Sequence, residues 1–199
     1  MESFSDLDAQ QAEETQPAPN NFSPLLRFLL DVLETVLLAV VLFLVINAVT
    51  ARVRVDGYSM RPTLEDGEYV LVNRLAYRFG DYERGDVVVF RFPIDPSQDF
   101  IKRVIGLPGD VVSIANGVVS VNGQALSEDY IAAAPLYSGE WVVPEGSLFV
   151  LGDNRNDSSD SHSWGMVPVE NVIGKAVLVY WPFTNLMLID HIDLVWAAP

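Results

Sequence analysis

With 199 residues, half of them apolar, the chain has material for one moderate domain with a sizeable core and for a membrane anchor besides. Its formal charge of -15 repels nucleic acid, so no DNA or RNA partner is expected. The absence of cysteine excludes disulfides, zinc-thiolate sites and thiol nucleophiles, a sortase-like transpeptidase included. No dense histidine or carboxylate cluster points to a metal, and no cofactor is expected.

Residues 1–24 carry Glu2, Asp6, Asp8, Glu13 and Glu14, three prolines and no Lys or Arg. Such a composition cannot bury enough surface to order itself, so a flexible acidic tail is predicted. It is also a poor secretory or organelle leader, since both are basic. From Leu25 the chain turns strongly apolar, and from Thr35 to Thr50 it holds no charge. A helix over 25–50 is long enough, at ~1.5 Å per residue, to cross a ~30 Å hydrocarbon core. The run Leu37–Ile46 leaves no polar face, which favours a membrane span over a buried helix of a soluble protein. No small-residue cleavage site follows directly, so the span reads as an uncleaved signal anchor. Arg27 flanks one end, Arg52 and Arg54 the other. Counted by the positive-inside rule, these lean toward a cytoplasmic C-terminal domain.

After Ala51 the pattern changes to short β-branched runs broken by turns. Strands are predicted over 52–55, 69–73, 86–92, 100–105, 111–114, 118–121, 147–151 and 172–181. Asn116-Gly117 and Asn122-Gly123 are hairpin turns, because both residue types tolerate positive φ. The expectation is a mainly β, antiparallel domain over 51–199, with a small subdomain around 111–147. Residues 124–146 read as loop. The end, 185–196, is expected to pack on the domain or lie at the membrane surface, with Phe183, Met187 and Trp196 as conceivable lipid contacts.

Three segments bear on chemistry. Gly57-Tyr58-Ser59-Met60-Arg61-Pro62 places a serine between a glycine-permitted turn and a proline, on irregular backbone where a nucleophile is reachable. The plain alternative is a surface turn. Serine needs a base, and the chain offers two histidines, His162 and His191, and two lysines, Lys102 and Lys175. Lys102 stands among Phe100, Ile101, Val104 and Ile105. A lysine there is costly to keep charged, and lowering its pKa from roughly 10.4 toward neutrality corresponds to about 4 kcal/mol. A neutral amine accepts a serine proton, which arginine does not. The plain alternative is an edge-strand lysine that guards against aggregation. The third segment, Gly152–Gly165, is the densest polar stretch. It reads either as a solvated loop or as a scaffold whose carboxylates fix Arg155 and whose hydroxyls orient an amine. His162 beside Asp160 also raises a Ser-His-Asp triad, although both lie in one loop and nothing in the spacing aims them at Ser59. His191 is expected to be structural.

Together these segments resemble the type I signal peptidases, Ser-Lys membrane proteases that remove signal peptides from exported proteins. The resemblance runs from the span onward: the anchor, the Ser59 segment, Gly85-Asp86-Val87-Val88-Val89-Phe90, the Lys102 segment and the Gly152–Gly165 segment, in the family's order. It implies Ser59 as nucleophile and Lys102 as general base. Ser158 would orient the lysine amine, and Asp153, Arg155 and Asp160 would form the polar scaffold. The Ser59 backbone N–H would donate to the oxyanion. It implies signal-peptide-bearing precursors as substrates, lying extended beside a strand, with small residues at the first and third positions before the cut. It also implies the bilayer as a partner, a secretion translocon as a neighbour, and a domain on the outer face of the bacterial cytoplasmic membrane, against the charge count.

Two positions depart from the family pattern. Gly57 stands where many members carry a serine that completes the oxyanion hole. His162 stands where an arginine is usual, so its pair with Asp160 is expected to be weaker and pH-dependent near neutrality. Rival readings are other Ser-Lys proteases of this fold, organelle peptidases included, a Ser59-His162 hydrolase, and a catalytically inactive, membrane-tethered β-domain that binds exported chains or partner subunits.

Overall fold

The computed structural model describes residues 23–189 and the strand 195–196. Residues 1–22 of the acidic tail, His191 and the side chain of Trp196 lie outside the described residues.

Helix α1, Pro24–Val49, has no buried residue and a mean hydropathy of 2.7 over its most apolar window. Pro24 opens it where a missing N–H costs nothing. At ~1.5 Å per residue it is long enough to cross a bilayer.

The strands follow at once. In the first half of the domain these are β1 (Thr50–Arg54), β2 (Tyr69–Asn73), the short helix α2 (Ala76–Phe79), β3 (Val87–Arg91) and β4 (Asp99–Gly106). A smaller group comprises β5 (Val111–Ala115), β6 (Val118–Val121), β7 (Gln124–Ser127) and β8 (Gly139–Val142). The chain returns through β9 (Ser147–Leu151), α3 (Ser161–Trp164), β10 (Val167–Pro168), β11 (Val172–Trp181), β12 (Met187–Leu188) and β13 (Val195–Trp196). All pairings are antiparallel. The main sheet runs β1-β2-β11-β3-β4-β9-β10, with β12 on β11, and the second runs β13-β7-β6-β5-β8.

The central strands β3 and β9 are buried at successive positions, so both faces are covered. This is why they read as continuous apolar runs rather than as alternating patterns. The hairpins at Asn116-Gly117 and Asn122-Gly123 have φ of 51° and 79°, and of 54° and 80°. Two consecutive positive-φ residues match the right-handed twist of the flanking strands.

Residues 124–146, expected as loop, contain β7 and β8. Gln124, Gly139 and Glu140 have low strand propensity, and pairing with β6 and β5 overrides it. One core cluster joins this small sheet to the main one, through Ile105, Phe149 and Leu151 against Val112, Ile114 and Val121. Phe183 and Met187 are exposed.

Candidate active site

Ser59 lies in the connection between β1 and β2. Its flanks are pinned by apolar anchors: Val55, Met60 and Leu64 are all buried. Backbone bonds clip the loop shut, from Val55 N–H to the Glu68 carbonyl (2.7 Å) and from Leu64 N–H to the Met60 carbonyl (2.9 Å). Gly57 sits at φ 96°, and its N–H donates to Asp66 Oδ1 at 2.8 Å. A side chain at Gly57 would meet no neighbour within 4 Å, but L residues rarely adopt that backbone conformation. The loop backbone at this position suits glycine rather than an L side chain.

Lys102 comes from β4, paired to Val88 of β3. It is 4% exposed. Its Nζ donates to Ser59 Oγ at 2.7 Å and to the Ile101 carbonyl at 2.9 Å. Burial pushes its pKa down to about 8, although Asp160 and Asp153 pull the other way. At neutral pH that leaves roughly a tenth of the amines neutral, about 300-fold more than at its ordinary value of 10.5.

The next residue, Arg103, has the opposite fate. It is fully buried and fully paired, with Nε to Asp153 Oδ1 (2.8 Å), Nη2 to Asp153 Oδ2 (2.6 Å) and Nη1 to the Gly85 carbonyl (2.8 Å). Thr63 Oγ1 donates to the same carboxylate at 2.5 Å. Asp153 therefore ties the Ser59 loop to β4. Arg155 is not fixed by a carboxylate of its own loop, as the sequence suggests. Its partner is Glu128, at 2.6 Å on each arm, with Tyr130 Oη at 3.1 Å. Asp160 receives the Gly152 N–H (2.9 Å) and lies 2.5 Å from His162 Nδ1.

Ser158 makes no hydrogen bond to the Lys102 amine in this structure. Its Oγ is buried without a hydrogen-bond partner among the described residues, while Lys102 folds back onto its own preceding carbonyl. His162 is not aimed at Ser59 either. It pairs with Asp160 and stacks on Tyr137, rings 3.9 Å apart at 13°. Lys175 pairs with the buried Asp86. Of the bases that fall within the described residues, Lys102 is the one hydrogen-bonded to Ser59.

The direction of the Ser59 N–H is set by backbone geometry. The Tyr58 carbonyl accepts from Arg61 N–H (3.1 Å) and from Asn154 Nδ2 (3.1 Å). In a trans peptide the N–H points opposite to the carbonyl, so the Ser59 N–H is turned away from Asn154. It donates to no acceptor among the described residues. The Ser59 carbonyl is held by Asn154 N–H at 3.0 Å.

Ser59 and Lys102 open on a cleft of about 360 Å³. Val53, Arg54 and residues 98–101 line it as well. Here β1 is the edge of its sheet, and β4 meets β9 only from Arg103 onward. Two runs of backbone thus face the cleft with one side unpaired.

Sequence reasoning missed Glu128, Tyr130, Thr63 and Asn154. Glu128 and Tyr130 lie in the stretch taken as loop, and no local pattern marks a partner for an arginine 27 residues away.

The sequence profile of the family described as "Signal peptidase, peptidase S26" matches residues 29–181. A signal peptidase I of Leptolyngbya laminosa is 44% identical, over 94% of this chain and 96% of that protein. A probable signal peptidase I of a Synechocystis strain is 43% identical, over 80% and 77%. A signal peptidase I of Pseudomonas fluorescens is 35% identical, over 71% and 69%. With its serine and lysine in hydrogen-bond contact on an antiparallel scaffold, the chain belongs to the signal peptidase family, peptidase S26.

Proposed function

We propose that the chain is a membrane-anchored serine endopeptidase that removes N-terminal signal peptides, with Ser59 as nucleophile and Lys102 as general base. One observation carries the assignment of roles: Lys102 Nζ lies 2.7 Å from Ser59 Oγ, in a site that depresses its pKa.

The reaction follows from the geometry. Ser59 Oγ attacks the scissile carbonyl carbon while its proton passes to Lys102 Nζ. The oxyanion takes the unpaired Ser59 N–H. As the C–N bond breaks, the Lys102 ammonium returns the proton to the leaving amine. The signal peptide remains as an ester on Ser59. Lys102, neutral again, removes a proton from water, and the hydroxide releases the peptide and restores Ser59. Ser158 supports the amine during deacylation: its buried, unpartnered Oγ is free to take an N–H once Ser59 Oγ is esterified. Asp153, Arg155 and Asp160 hold the two loops in register through the bonds described above.

The substrate lies extended in the cleft and pairs with the free sides of β1 and of Asp99–Lys102. Small side chains at the first and third positions before the cut fit the family's preference. The domain works on the outer face of the bacterial cytoplasmic membrane, with the N-terminus cytoplasmic, where precursors leave the translocon.

The test is cleavage of a precursor with an Ala-x-Ala site, in detergent or liposomes. Ser59→Ala and Lys102→Arg are expected to be inactive, and His162→Ala to retain activity. Inactivity of Ser59→Ala and His162→Ala with survival of Lys102→Arg would move the base to His162. A folded, membrane-bound wild type that cuts nothing would leave a binding domain.

A further inference from the structure

A second cavity, of about 440 Å³, shares no lining residue with the Ser59 cleft. Three of the ten arginines in this acidic chain line it: Arg74, Arg78 and Arg91. Four other cations have carboxylate partners: Arg84 has Asp110, Arg103 Asp153, Arg155 Glu128 and Lys175 Asp86. These three have no ion pair among the described residues, and all are exposed. Glu170 is the one carboxylate in the lining. Tyr77 and Tyr82 form an aromatic wall, rings stacked at 4.0 Å. Their hydroxyls are engaged by Asp86 and by the Val169 carbonyl, which leaves the guanidinium groups as the charged donors of the lining.

The cavity lies at the C-terminal end of α1. Ala48, in the last turn of α1, is part of its lining, and Arg74 N–H donates to the carbonyl of Val49, the last residue of that helix, at 3.0 Å. If α1 spans the bilayer, its end marks the boundary between hydrocarbon and headgroups. Guanidinium forks at that depth match the bidentate geometry of a phosphate monoanion.

We propose that this cavity binds the phosphate of an anionic lipid headgroup from the bilayer that α1 crosses. The proposal rests on the reading of α1 as a membrane span.

The test uses the full chain in zwitterionic micelles, with lipid binding followed by native mass spectrometry and folding by circular dichroism. Phosphatidylglycerol is expected to bind more tightly than phosphatidylcholine. Each of Arg74→Gln, Arg78→Gln and Arg91→Gln should lose roughly fivefold in phosphatidylglycerol affinity, and the triple variant on the order of a hundredfold. Glu170→Gln should gain roughly fivefold, a change that misfolding does not mimic. Unchanged phosphatidylglycerol preference in the folded arginine variants, or no gain in Glu170→Gln, overturns the proposal. Saturation by inorganic phosphate that phosphatidylglycerol does not displace also overturns it, since the cavity then takes a soluble oxyanion. Carbonate extraction of membranes separates the two readings. A chain released by carbonate refutes the span, whereas a retained chain without lipid preference refutes only the cavity.

Discussion

Arg155 presents both arms of its guanidinium to the Glu128 carboxylate at 2.6 Å each, with both side chains buried. The pair links the polar loop after β9 to the segment after β7. Burial alone lowers an arginine pKa, yet the Glu128 bond outweighs it and holds Arg155 above its ordinary value. Glu128→Ala leaves a buried cation without its carboxylate partner and should cost about 3–5 kcal/mol of stability by denaturant unfolding. A loss below about 1 kcal/mol would mean that water reaches Arg155 and that the pair is not structural.

Catalysis should rise with pH through the titration of Lys102. On the proposed mechanism the active form is the neutral amine, whose fraction grows about tenfold per pH unit below a pKa of about 8 and levels off above it. The profile of kcat/KM for precursor cleavage is the measurement, because it reports the free enzyme. A profile that stays flat below a pKa of about 8 would show that Lys102 is not the base.

The same shift predicts that Lys102 destabilises the fold. Its folded pKa of about 8 lies below the ordinary 10.5, so between those values the unfolded chain holds one more proton than the folded chain. Stability therefore increases with pH across that window, and below it the lysine costs about 3 kcal/mol. Lys102→Met should raise the Tm by roughly 5–10 °C at pH 7, and the gap to wild type should close above pH 10.5. An equal gap at both pH values would show that packing, not charge, is responsible.

Gly152 has no room for a side chain. A Cβ there would sit 2.2 Å from Ser158 Oγ and 2.4 Å from the Ser59 carbonyl oxygen. Gly152→Ala must push the Ser59 loop and the polar loop apart. A displacement near 1 Å should lower kcat on the order of a hundredfold with a smaller change in KM, at a stability cost of about 1–3 kcal/mol. Wild-type kcat in this variant would mean that the corner relaxes without moving Ser59.

Local signals were legible in the sequence wherever they were carried by neighbours in the chain. The β-branched runs at 69–73, 118–121, 147–151 and 172–181 match the strands residue for residue. The apolar neighbours of Lys102 announced its depressed pKa. What stayed hidden depends on partners far along the chain. Gln124–Ser127 and Gly139–Val142 become strands because a sheet is there to receive them. Arg103 could not be told from a surface arginine until Asp153, 50 residues away, met it. Ser158 was placed in the right loop, but which of its neighbours its hydroxyl faces is a matter of side-chain packing that no spacing encodes.

Asn154 grips the Ser59 loop from 96 residues away, at both the Tyr58 and Ser59 carbonyls. This fixes the order in which the enzyme becomes competent during synthesis. Ser59 and Lys102 are both made within the first 102 residues, but the clasp that sets the Ser59 N–H is made only after residue 154. A nascent chain that already carries Ser59 and Lys102 is thus still blunt, and it is sharpened only when its last third folds back onto its first.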